Sequence, residues 1–354
     1  MIAKVLPVAL LAGAVSATCP LAVEITNSDN HVVNVAVTNT GSETLQVFKG
    51  NTVFSEHATK DLLVTDAEGN ALPFEGIFVN YKRTGLPASS FQKIEAGETV
   101  TVSVNAAKSY KLSGVEQAKV TAIQGFRYAT GAETPSSVVG LAACEDVTSG
   151  EVEVTPDQAV VAEQHISKRE TPTPSRIQKR SITYSSCSAS QTTALKTSVS
   201  DAISMAKAAY TAAGTASYYF TTWFKSTSVE SKVQTIYNDV ANVQTTSPKI
   251  SCTDTYSDCT DGSALLYTVP SDNVIVPCPN NGFWGFPELA SQCSGDDYDR
   301  AGSMLHEMTH LYGTTDWAYG PVAAQALSAT KAAANADTYE MYAESVRLGG
   351  CTTG

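Results

Sequence analysis

The stretch that most restricts this 354-residue chain is His306-Glu307-Met308-Thr309-His310, an H-E-x-x-H pattern. Residues four apart on an α-helix lie one above the other on one face. A helix here aims both imidazoles at one point, and Glu307, one step round, reaches a water held there. Two His and an adjacent Glu in this spacing are the ligand pair and general base of a zinc site. The bland alternative is a pair of surface histidines. The chain has five His, however, and from residue 181 onward only His306 and His310 remain. A region whose only histidines stand at ligand spacing is read as built for a metal.

The residues that follow extend the pattern to H-E-x-x-H-x-x-G-x-x-D. Gly313 suits a sharp turn at the helix C-terminus. Asp316, three residues on, can then swing back under the two His. Three protein ligands with a fourth position open is the form of a catalytic zinc site. Asp337 is the rival third ligand, an acid in an otherwise Ala-rich helical stretch. Its alternative roles are a helix cap or a partner for a ligand His.

Net charge is −12 and the pI about 4.9, which argues against nucleic-acid binding. Eight widely spaced Cys point to disulfides and an oxidising compartment. Lys4, the apolar run 5–15 and the small residues Val15 and Ala17 read as a signal peptide over 1–17, too short to span a membrane. A secreted product is expected. Residues 18–145 hold strand-like runs at 21–26, 32–37, 45–48, 60–65 and 99–104, punctuated by Gly and Asn as in a β-sandwich. Cys19 and Cys144 bracket this block and are expected to pair. Residues 146–180 lack apolar periodicity, contain Thr171-Pro-Thr-Pro174, and carry the basic pairs Lys168-Arg169 and Lys179-Arg180. They read as a cleavable linker. The expected division is signal peptide 1–17, propeptide 18–180 and zinc metallopeptidase domain 181–354, with the last cut after Arg180.

From 181 the periodicity turns helical. Leu195, Val199, Ala202, Ala206 and Tyr210 fall at steps of three and four, as do Val229, Val233, Ile236, Val240 and Val243. Both stripes are read as core. Ile250, 264–269 and 274–276 look like short strands. The zinc helix is expected to start near Asp296-Asp297, where acids favour a helix N-terminus, and 322–334 and 336–348 read as closing helices. The class is α+β, mostly helical with a small sheet, after an all-β region. This part carries 16 acidic against 8 basic residues, net −8; an acidic face would steer basic peptides inward.

Gly313-Thr-Thr-Asp-Trp-Ala-Tyr-Gly320 resembles the G-T-x-D-x-x-Y-G signature of the deuterolysins, the aspzincin family of fungal neutral zinc proteases. The likeness extends over signal peptide, long propeptide, dibasic junction and six-Cys mature domain. It implies a zincin-like fold and a secreted zinc metalloendopeptidase with one Zn2+ per chain. His306, His310 and Asp316 would hold the metal, Glu307 would be the base, and Tyr319 would donate to the oxyanion. It also implies pairing of Cys187–Cys252, Cys259–Cys278 and Cys293–Cys351 and a preference for basic protein substrates. A long, separately disulfide-linked β-region on a cleavable linker is expected to act as the chain's own inhibitory propeptide, and a monomer is expected. The competing reading is a secreted, non-catalytic binding or effector protein with a structural zinc.

Overall fold

The computed structural model describes residues 19–164, 181–215, 218–292 and 299–350. The expected signal peptide, both basic pairs and the expected Cys293–Cys351 bridge lie outside those residues.

The N-terminal region is all-β in its core. Its strands are β1 (Leu21–Asp29), β2 (Val32–Asn39), β3 (Leu45–Phe48), β4 (Leu62–Asp66), β5 (Phe78–Tyr81), β6 (Phe91–Ile94), β7 (Thr99–Asn105), β8 (Ala118–Thr130), β9 (Ala142–Thr148) and β10 (Val152–Val154), followed by helix α1 (Gln158–Gln164). One sheet has the order β1-β2-β7; the other runs β10-β8-β3-β6, with β4 and β9 also on β8. The sheets share a core in which Val33, Val35 and Val37 meet Val47, Val64, Val120 and Phe126. Alternation along β8 buries every second residue from Ala118 to Tyr128, as the period-two geometry of a strand requires. The expected Cys19–Cys144 disulfide ties the ends of this region together. The stretch 146–164, read as linker, instead carries the end of β9, β10 and α1. Val154 and Val161 there enter the core, which a scan for periodicity misses because each element is shorter than two periods.

The C-terminal region is mostly helical: β11 (Thr183–Ser185), α2 (Ala189–Ala213), α3 (Tyr218–Phe224), α4 (Glu230–Ala241), β12 (Lys249–Ser251), β13 (Ala264–Val269), β14 (Val274–Pro277), α5 (Arg300–His310), α6 (Pro321–Ala326), α7 (Ala329–Ala332) and α8 (Ala336–Leu348). Ser188 and Gln191 close a capping box on α2, satisfying two N-terminal backbone donors. Its stripe from Leu195 to Ala206 is buried, whereas Tyr210 is 42% exposed and lies off the core. The α4 stripe packs on α2 and α5 as expected. One departure is the span 322–334, which is two short helices because Leu327 is extended (ψ 148°) between them. Disulfides Cys187–Cys252 and Cys259–Cys278 are formed. Among the described residues no helix is long and apolar enough to cross a membrane.

The two regions are not separate bodies joined by a tether. The C-terminal sheet has the order β11-β12-β14-β13-β5, so its fifth strand comes from the N-terminal region. A third core lies at this seam, where Phe48, Val79 and Tyr81 pack on Tyr267, Val276 and Tyr319.

Candidate metal centre and active site

The metal-ligand helix α5 starts at Arg300, capped by Asp299, whose carboxylate accepts the Gly302 amide at 2.5 Å. Asp296-Asp297, near which the helix is expected to start, lie outside the described residues. Gly302 has a second use: a Cβ there would stand 3.1 Å from Glu340 Oε1, so the missing side chain lets Glu340 lie close against the helix. From Ala301 to His310 every residue of α5 is buried.

His306, Glu307 and His310 come out on one face as the spacing requires. Gly313 takes φ +94°, a region open chiefly to glycine, and the chain turns back. Asp316 Oδ1 then stands 3.2 Å from His306 Nε2 and 3.4 Å from His310 Nε2. The three side chains are at most 1% exposed. Among the described residues His306 Nε2, His310 Nε2, both Asp316 oxygens and Glu307 Oε1 are buried with no hydrogen-bond partner. Buried polar atoms are nearly always satisfied, so this group of orphaned atoms on neighbouring side chains fits a metal ion and its water. The donor set, two imidazoles and a carboxylate whose atoms lie within 4.8 Å of one another, suits zinc.

Neighbouring groups orient these side chains. His310 Nδ1 is 3.2 Å from both the carbonyl and the hydroxyl oxygen of Thr314; donation from Nδ1–H to the carbonyl leaves Nε2 as the lone-pair nitrogen. His306 Nδ1 faces Asp337 Oδ1 at 3.5 Å and Glu340 Oε2 at 3.4 Å. Asp337 is thus behind a histidine. Its other contacts are Arg83 Nη2 at 3.1 Å and the Gly320 amide at 2.5 Å. The Asp316 loop is pinned by Asn335, whose Oδ1 accepts from the Trp317 and Ala318 amides at 2.8 and 2.9 Å. Thr268 on β13 donates to Glu307 Oε2 at 2.6 Å. Burial pushes the Glu307 carboxyl up to about 7 despite the nearby histidines and Thr268, which suits a group that must both accept and release a proton. Asp316 is buried too, but His310 and His306 hold it well below the usual carboxylate range.

Tyr319 reaches the same place. Its ring lies 6.3 Å from that of His306 at 15°. Its hydroxyl donates to the Val79 carbonyl at 2.6 Å and accepts from Asn51 at 2.6 Å. A cavity of about 200 Å3 remains beside it, lined by Phe78, Asp316 and Trp317 among others.

The structure brings His306, His310 and Asp316 together within 4.8 Å, with Glu307 on the same helix and the Tyr319 ring 6.3 Å from that of His306. Sequence reasoning overlooked Thr268, Thr314, Asn335, Glu340 and Arg83. Glu340 left a trace, three residues after Asp337 and so on the same helix face; Thr314 and Asn335 stand beside Asp316 and Asp337 in the sequence, whereas Thr268 and Arg83 come from distant segments.

A helix carrying H-E-x-x-H, a returning carboxylate and a buried glutamate held by a sheet strand define a zinc metallopeptidase. The profile of the aspzincin family, described as lysine-specific metallo-endopeptidase, matches residues 209–344. The chain is 35% identical over 339 residues to a neutral protease 2 homolog of Phaeosphaeria nodorum, covering 93% of this chain and 91% of the relative. It is 33% identical to one of Sclerotinia sclerotiorum (93% and 90% covered) and 32% identical to one of Botryotinia fuckeliana (93% and 92%). The chain belongs to the aspzincin family and is a zinc metalloendopeptidase.

Proposed function

We propose that His306, His310 and Asp316 hold the zinc, that Glu307 is the proton carrier and Tyr319 the oxyanion donor, and that the protein is a secreted zymogen. The convergence of orphaned buried atoms on one point carries the assignment of the ligands. Bound zinc supplies Lewis acidity to the attacking water and the peptide carbonyl. Glu307 Oε1 takes a proton from that water while Thr268 fixes Oε2. The same carboxyl then passes the proton to the leaving amine, so that one C–N bond is broken and one water consumed. The Tyr319 hydroxyl donates to the carbonyl oxygen as charge develops on it. Asp337 and Glu340 orient His306 rather than binding the metal.

The N-terminal region serves as an inhibitory propeptide, released after cleavage following Arg180. The seam core and the fifth sheet strand support that reading, because they cover the Tyr319 hydroxyl and the β13 edge. The disulfides suit secretion. The net charge of −8 from residue 181 on favours basic protein substrates, and zincin-like layering of sheet over metal helix fits an extended peptide substrate. The test is hydrolysis of casein and of a basic protein such as a histone by the linker-cut protein, with chelator and with zinc restored. Loss and recovery of activity, with histone cut faster, are expected. Activity that survives metal removal overturns the mechanism, and equal rates overturn the substrate preference.

A further inference from the structure

The residues that do the blocking are legible from their contacts, granted the zymogen reading above. Without β5, β13 is a sheet edge, and an edge offers unpaired N–H and C=O groups to any extended chain. The strand β5 takes that edge antiparallel, with Phe78 opposite Thr268, Val79 opposite Tyr267 and Asn80 opposite Leu266. The Lys82 amide continues the ladder to the Ser263 carbonyl. Phe78 lies flat on the His310 ring, 4.4 Å away at 11°. Asn80 shares that face by strand alternation. It is fully buried, and among the described residues neither of its amide atoms has a partner, a cost that packing alone does not explain. The Val79 carbonyl accepts from the Tyr319 hydroxyl, the donor assigned above to a reacting carbonyl. Two residues past the strand, Arg83 enters the C-terminal region with 1% of its side chain exposed, 3.1 Å from Asp337 and 3.9 Å from Glu340.

We propose that residues 78–83 fill the peptide-binding cleft in the manner of a substrate chain, with the Val79 carbonyl in the reacting position and Arg83 as the cationic anchor. The contacts form one continuous strip: an aromatic on a ligand histidine, a carbonyl on the oxyanion donor, a guanidinium on the two carboxylates behind the other ligand histidine. None of them involves the linker. A cut in the linker therefore leaves the strip seated, and activation needs a second step, release of the N-terminal region. The strip is also a self-contained recognition element: an extended segment with an aromatic followed five residues later by a cation, which inhibits in trans.

The test uses the zinc-loaded full chain, uncut and cut in the linker, as wild type, Arg83→Gln and Arg83→Lys. The readouts are hydrolysis of a fluorogenic peptide and co-sedimentation of the two fragments. Stripping one partner from a buried charge pair costs enough that Arg83→Gln is expected to weaken fragment association at least about 30-fold and to raise the uncut chain's rate. Arg83→Lys should recover most of both. A folded Arg83→Gln chain that holds its fragment as tightly as wild type overturns the proposal. Should that variant not fold, a synthetic peptide spanning residues 76–85 decides. It should inhibit the linker-cut wild-type enzyme competitively, and its Arg83→Ala version at least about 30-fold less. No inhibition, or equal potency, overturns the proposal. An uncut wild-type chain as active as the released enzyme overturns the zymogen reading itself. An inert uncut chain indifferent to Arg83→Gln overturns only the assignment of residues 78–83.

Discussion

Replacing His57 by Gln should loosen the N-terminal region and remove a pH dependence. His57 belongs to the N-terminal region, yet its Nδ1 lies 2.9 Å from Asp258 and its Nε2 3.3 Å from Asp261, both across the seam. The Tyr81 ring stands 6.2 Å away, and its hydroxyl is held far above its usual value by burial, so it does not titrate in the range that matters. Burial alone would lower the imidazole, but the two carboxylates overcome it and raise His57 to about 9. Seen from the other side, Asp261 is buried enough to be pushed up, but His57 and Ser263 pull it down to about 2. The two shifts correspond to roughly 3 and 2 kcal/mol respectively. Asp261 is 32% exposed and water screens it, which brings the coupling towards the lower figure. The sign follows from linkage. A raised histidine contributes fully below its free value near 6.5, and the contribution is lost as pH rises through about 9. A depressed aspartate contributes above its free value near 4, and that is lost only as pH falls through about 2. In the linker-cut protein, fragment affinity measured by sedimentation should therefore be flat from pH 4 to 6.5 and fall at least about 30-fold between pH 7 and 10. His57→Gln should be weaker by a similar factor at pH 6 and lose the alkaline fall. A wild-type affinity unchanged from pH 7 to 10, or a variant that keeps the fall, would refute the clamp.

Other expectations concern the site and the core. Asp316→Ala should lose zinc and hydrolysis together, whereas Asp337→Asn should keep zinc with affinity reduced about 10–100-fold; metal content of the purified variants separates the two. Thr268→Val keeps the β-branched shape of β13 but frees Glu307 Oε2, and should lower kcat about 10- to 100-fold, since hydrogen bonds to charged groups contribute about 1.5–3 kcal/mol, with zinc content unchanged. Trp223 is fully buried and donates to Ser345 at 2.7 Å. Trp223→Ala should cost about 3–5 kcal/mol in chemical denaturation, with the metal ligands untouched.

What could be read from the sequence was what is local along the chain. Histidines four apart, a glycine after a helix and an acid three residues further all act within about three turns of backbone, so ligand spacing and turn chemistry pointed to the candidate centre. The stripes of α2 and α4 were legible for the same reason. The strand β8 was passed over although its alternation is regular, because Ala and Gln124 point inward while Ile123 points out, which blurs the apolar signal. The run Tyr218–Phe224 is apolar along most of its length and too short to show a helical period. Least legible were contacts spanning more than two hundred residues: Phe78 on His310, Val79 on Tyr319, Arg83 on Asp337, His57 on Asp258. Nothing in the residues near position 80 marks them as part of a sheet that begins after residue 180. The contacts that bear on the rivalry between Asp316 and Asp337 are of the same kind, since Asp337 faces Arg83 and the Gly320 amide.

The most direct measurement is zinc content and peptidase rate of the linker-cut Glu307→Gln protein, side by side with wild type. Glu307 has no ligand role in the geometry, and one of its oxygens is taken by Thr268. The account predicts one zinc per chain in both proteins and a rate lowered by about 100- to 10,000-fold in the variant. Zinc bound in full with the wild-type rate retained would contradict it.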